Sequence, residues 1–150
     1  MDIRDMNTDG RLYKILVNDH SAHGGELAWS LPRARADGGY APGTWHGVAG
    51  PIEVCKHGLH LTTEPVRWLK LGCMVYAAEG RGPSQTSGDK TAFSEARLLA
   101  PAPEMIPAWW RDVERFVRDD IPAIPWFRPD GTPDPAWRLF TALCRKAFRA

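Results

Sequence analysis

Residues Cys55 to Gly82, CKHGLHLTTEPVRWLKLGCMVYAAEGRG, read as one continuous structural phrase of strand, capped helix and strand. The first strand ends in Gly58-Leu59-His60-Leu61-Thr62-Thr63. The helix opens at Glu64-Pro65, because the fixed φ and missing N–H of proline suit a first helical turn. Met74-Val75-Tyr76-Ala77-Ala78-Glu79 forms the second strand, and Gly80-Arg81-Gly82 closes it. Polar and aromatic residues fall within both strands: His60, Thr62 and Thr63 in the first, Tyr76 in the second.

Working outward toward the N-terminus, Arg11-Leu12-Tyr13-Lys14-Ile15-Leu16-Val17 alternates and is rich in strand formers. A turn at Asn18 to Ser21 follows, then His23-Gly24-Gly25, where two glycines open backbone conformations closed to other residues. Leu27 to Leu31 predicts a second short strand. Trp45 to Val48 and Ile52 to Cys55 predict two more around a Gly50-Pro51 turn, after an Arg-, Gly- and Pro-rich loop from Pro32 to Gly43.

Toward the C-terminus, Arg81 to Asp89 is turn-rich, and Lys90 to Leu99 returns to strand character. Ala100-Pro101-Ala102-Pro103 has the composition of a linker. Beyond it Ile106, Trp109, Trp110, Val113, Phe116 and Val117 recur at helical spacing. Pro122, Pro125, Pro129 and Pro133 stiffen the next segment until Asp134-Pro135 opens a last helix with Trp137, Phe140, Leu143, Cys144, Ala147 and Phe148 as its apolar stripe. The expected fold is α+β: a strand-rich core over residues 11–99 with one short helix, then two amphipathic C-terminal helices packed on the core or on a partner. The expected domains are 1–100 and 101–150.

Composition narrows the function classes. At 150 residues the chain is long enough for one domain with a substantial core. A formal charge of +1 argues against a dedicated nucleic-acid binder, which carries a strongly basic face. Seven Trp and thirteen Pro point to ordered, aromatic-packed loops, since disordered chains are aromatic-poor. Three cysteines at unrelated spacings form no disulfide framework, no charged-then-apolar leader opens the sequence, and no apolar run nears the roughly 18 residues of a membrane span. These features predict the cytoplasm.

The order Tyr13-Lys14, His23-Gly24-Gly25, Trp29-Ser30-Leu31-Pro32, Cys55 to Leu61, Glu79-Gly80-Arg81-Gly82, Asp89-Lys90 and Glu95 to Leu99 resembles an uncharacterised small-domain family of phage and actinobacterial proteins. That resemblance covers residues 11–99 and implies no activity. The layout of Gly58 to Thr63, a short helix and Val75 to Gly80 is also similar, more distantly, to ADP-ribosyltransferase-like folds. This second resemblance implies NAD as substrate. His60 would take the aromatic position against the nicotinamide ring, Glu95 the catalytic carboxylate, and Thr62 and Thr63 ribose or phosphate contacts, with Tyr76 on the strand beyond. Tyr13 and Lys14 stand where the family's first strand supplies a His or Arg, so the anchor for the cofactor departs from the pattern. Cleaving the nicotinamide–ribose bond builds positive charge on the sugar, which a carboxylate stabilises.

Other readings of the same residues stay open. His60 can be a cross-strand core histidine, and Glu95 can pair with Lys90 or Arg97. Cys55, His57 and His60 have zinc-type side chains, completed on paper by Cys73 or His23, but at no paired-ligand spacing. A Cys55–His57 nucleophile lacks an orienting third group. A non-enzymatic alternative is a module that blocks a host protein complex through its Trp-rich C-terminal helices, because adjacent Trp109 and Trp110 cannot easily both face one core.

Overall fold

The structure is a computed structural model that describes residues 10–121 and 128–147. Residues 1–9, Pro122, Pro125 and Phe148, and the side chains of Leu143, Cys144 and Ala147, lie outside that description. The first compact unit extends to Pro107 and the second starts at Ala108, so the boundary falls beyond Ala100.

The first unit is a strand-rich body. Its strands are β1 (Leu12–Val17), β2 (His20–Ser21), β3 (Arg33–Ala34), β4 (Tyr40–Ala41), β5 (His46–Gly47), β6 (Leu59–Thr62), β7 (Cys73–Ser87) and β8 (Lys90–Pro101). All named pairings are antiparallel. β1 runs along the first half of β7, from Leu12 opposite Ala78 to Val17 opposite Cys73. β7 then pairs with β8 along almost its whole length, and β8 gives its other edge to β6, Leu59 opposite Phe93 through Thr62 opposite Lys90. A single joint, Tyr13 opposite Thr62, brings β6 back to β1 and closes a four-strand ring, β1-β7-β8-β6. Register shifts between Ala77 and Ala78 and between Arg81 and Ser84 mark the bulges that let the long hairpin curl.

Alternation places Leu12, Lys14 and Leu16 on one face of β1. Leu16 belongs to the core with Trp29, Leu59, Leu61, Tyr76, Ala78, Ala96 and Leu98, and Leu12 packs against it. Lys14 therefore occupies a position on the apolar face and is itself buried.

The segment Arg81 to Ser87, expected as turn-rich, is exposed but forms the outer half of β7. Its polar residues gain partners there: the Thr86 and Thr91 hydroxyls bond across the hairpin, and the Gln85 side-chain Oε1 accepts the Val54 N–H. Leu27 to Leu31 forms no strand beyond a single bridge from Ala28 to His20, and Ile52 to Cys55 forms only a bridge from Glu53 to His57. The expected linker is absorbed into the first unit. Ala100 and Pro101 end β8 opposite Ala77 and Tyr76, Ala102 donates its N–H to the Val75 carbonyl, and Ile106 is buried. The helix at Glu64-Pro65 is one 3-10 turn, Pro65–Trp68.

The second unit holds α1 (Ala108–Arg115), which continues as a π-helical turn from Phe116 to Asp120, and α2 (Pro135–Ala147). α2 starts at the expected proline, with the Asp134 carbonyl accepting the Trp137 N–H. No helix among the described residues is long and apolar enough to cross a membrane.

Candidate functional site

A cleft of about 390 Å³ opens beside β1 and β6, between the loop at residues 23–29, the loop before Gly58 and the 3-10 turn. Its chemistry is concentrated in Tyr13, Lys14, Trp29, His60, Trp68 and Lys90, with Cys55 and His23 at its loops. None of the described residues lining it is acidic.

Lys14 reaches it from the core face of β1. Its Nζ donates to the His60 carbonyl at 3.1 Å and lies 5.1 Å from the centre of the Trp29 ring. An ammonium has three donors, and the His60 carbonyl takes one of them. Burial pulls its pKa down to about 8, because taking the charge out of water disfavours the protonated form.

His60 is held from both ends. Its carbonyl takes the Lys14 ammonium, and its ring Nε2 accepts the Cys55 N–H at 2.7 Å. Burial, then the charges of Lys14 and Lys90, push its pKa below the ordinary histidine value despite an opposing backbone hydrogen bond at Gly58. The ring is thus a neutral acceptor with Nε2 already engaged. Cys55 has a left-handed backbone, φ 67°, an uncommon conformation for a residue with a Cβ. Its thiol accepts a 3.8 Å contact from the Lys90 Nζ.

One wall is built around Trp68, set by the 3-10 turn that the Glu64-Pro65 signal starts. Its indole N–H donates to Asp89 Oδ2 at 2.6 Å, and the Thr62 hydroxyl donates to the same oxygen at 2.7 Å. Arg67 approaches the other carboxylate oxygen at 3.5 Å, and the Asp89 carbonyl takes the Thr63 N–H. Burial raises the Asp89 pKa, but the Trp68 and Thr62 hydrogen bonds and the Arg67 charge outweigh it and leave the carboxyl below its usual range. The Trp68 carbonyl faces His23 Nε2 at 2.7 Å, with the two rings edge to face. Lys90 Nζ lies 3.7 Å from the centre of the Trp68 ring.

Of the residues singled out in the sequence, Tyr13, Lys14, His60 and Thr62 line the cleft, while Thr63 and Tyr76 are not among its lining. Thr63 holds the Asp89 backbone, and Tyr76 belongs to the core opposite Lys14, where burial raises its pKa. Glu95 lies elsewhere. Its carboxylate accepts two hydrogen bonds from Arg81 across the hairpin, at 2.8 and 3.0 Å, and is not among the lining residues. Glu79 pairs likewise with Arg97, and both guanidinium groups stack on Trp45. Those carboxylates form an outer strip of paired charges.

No group of three His, Cys, Asp or Glu side chains that could hold a metal occurs among the described residues. His57 Nε2 is engaged with the Ala49 carbonyl at 2.6 Å. Sequence reading gave no role to Trp68 or to the Asp89 carboxylate. The signal available was Pro65 three residues before a tryptophan, followed by a hairpin turn, Gly88-Asp89, whose carboxylate could fold back. In comparisons with known proteins, no family model matches the chain, and neither does any curated protein or solved structure.

Proposed function

We propose that this domain binds a planar, anionic small molecule of nucleotide type, NAD or a related nucleotide, in the cleft beside β1 and β6. One observation carries the reading: Lys14 and Lys90 enter a cleft with no acidic side chain among its described lining residues, together with the rings of Tyr13, Trp29 and Trp68. Phosphate oxygens would complete the Lys14 ammonium, and a base would pack on an indole face. Such a mixture of a few convergent polar groups with aromatic walls is the usual make-up of a ligand site.

The transferase half of the reading, an ADP-ribosyltransferase-like core using Glu95 and His60, has less support, because the Glu95 carboxylate is engaged by Arg81. A label-transfer assay with tagged NAD decides it. Label that disappears with Glu95→Gln would establish transfer, and binding without label leaves a nucleotide-binding module. The binding claim itself is checked by calorimetry with NAD, ADP-ribose and ADP on the native chain and on Trp68→Ala. Absence of heat and of any thermal shift with all three would sink it.

A second reading rests on α1. Trp109, Val113 and Phe116 lie at i, i+4 and i+7 and are 50%, 41% and 43% exposed. This supports the module that blocks a host protein complex through its C-terminal helices. Its expected mark is a specific complex lost on Trp109→Ala with nucleotide binding unchanged.

A further inference from the structure

We infer that Lys14 is a covalent capture site for an anionic aldehyde, its amine condensing with the carbonyl of a molecule seated in the cleft. The inference rests on the reading of the cleft as a ligand site and adds a reaction to it.

A nucleophilic lysine has to be reachable, desolvated and free of a carboxylate partner, since an ion pair would hold it protonated. Among the described residues, Lys14 meets all three conditions. It lines the cleft, its side chain is buried from the core face, and its one hydrogen-bond acceptor is the His60 carbonyl. The titratable groups around it among the described residues are Tyr76, its cross-strand neighbour on β7, Tyr13 on its own strand, His60 on β6, Lys90 on β8, and Cys55 and His23 in the cleft loops. None is a carboxylate. With its pKa near 8, a substantial share of the amine is neutral at physiological pH. Lys90, whose Nζ lies 3.7 Å from the centre of the Trp68 ring, supplies a separate positive charge for the anionic end of the ligand.

The chemistry balances without an oxidant or reductant. The neutral Lys14 amine attacks the carbonyl carbon, a C–N bond forms, and the carbonyl π pair goes to oxygen. Water carries one proton from nitrogen to that oxygen, and loss of water from the carbinolamine leaves the imine. His60 Nε2 is occupied by the Cys55 N–H, so the imidazole is not assigned the proton transfer.

The test uses the full chain with pyridoxal phosphate as probe, an aromatic aldehyde that carries an anion, followed by borohydride reduction and peptide mapping. The expected result is one reduced adduct on Lys14, at least about tenfold above that on exposed Lys56 or Lys70, because an ordinary lysine holds far less neutral amine near pH 7. Labelling should rise through about pH 8. Pyridoxal, which lacks the phosphate, should label Lys14 more slowly, and Lys14→Arg should abolish the adduct while keeping the circular dichroism of the native chain. Mapping on the native chain needs no variant, so a folding failure of Lys14→Arg does not decide the matter. Adducts spread over surface lysines with none on Lys14 would overturn the inference. If nucleotides still bind in that case, only the covalent step has failed, whereas an adduct on Lys14 without nucleotide binding upholds capture and removes the nucleotide reading.

Discussion

Lys14 sets a conflict between stability and binding within one side chain. Its folded pKa of about 8 lies below the ordinary 10.5, so between those values the unfolded chain holds more proton. Stability therefore rises as pH climbs through that window, and below it the full cost of burying the charge is present. Taken to its limit the gap is worth about 3 kcal/mol. Lys14→Met, which keeps an unbranched side chain, should stabilise the fold at neutral pH by roughly 1–3 kcal/mol and remove the rise of the urea midpoint above pH 8, while weakening anion binding. A buried penalty kept at a cleft is what a binding residue looks like when stability is traded for function. Glu95 lies at the opposite extreme. Its pairing with Arg81 is on the surface, so Glu95→Gln should leave the thermal midpoint and calorimetric nucleotide binding unchanged within error.

At the scale of elements, the hairpin of β7 and β8 organises both the ring and the cleft. Its turn delivers Asp89 to the Trp68 indole, so a strand-to-strand connection fixes a wall contributed by a separate 3-10 turn. Asp89→Ala strands two donors, the indole N–H and the Thr62 hydroxyl. It should cost about 2–3 kcal/mol, shift tryptophan fluorescence toward the red and weaken ligand binding by calorimetry. Halfway along the hairpin, a Cβ on Gly80 would lie 2.3 Å from Phe93 Cγ. Phe93 packs over that bare backbone, so Gly80→Ala should destabilise the unit by roughly 1–3 kcal/mol in urea titrations, with no direct effect on the cleft.

On the scale of the whole molecule, the two units make a clear cut at Pro107. A chain ending there should keep cooperative unfolding and nucleotide binding, because the cleft residues all precede it. Legibility in the sequence follows the range of the interactions. β1, β6 and the first half of β7 were readable because alternation and β-branched residues are local signals. The outer half of β7 was not, since Gly-Pro-Ser-Gln-Thr-Ser has turn composition and becomes a strand through pairing with β8. Lys14, His60, Tyr13 and Thr62 were singled out by the same layout analogy as Glu95, and the fold brings these four, without Glu95, to the lining of one cleft. Trp68, Lys90 and Asp89 join them through contacts spanning the chain, which no local pattern encodes. Glu95 was placed by analogy of order, and order along a strand does not say which wall of the ring a residue serves.

The ring carries a consequence for how the chain comes into being. The β7–β8 hairpin joins neighbours in sequence and can zip from its own turn. β1, made early, has no ring partner until β6 is synthesised, and its long pairing waits for β7. During synthesis the first strand and its apolar face therefore wait for partners that lie far along the chain. Such high sequence separation slows folding and lengthens the interval in which a nascent chain depends on protection by chaperones.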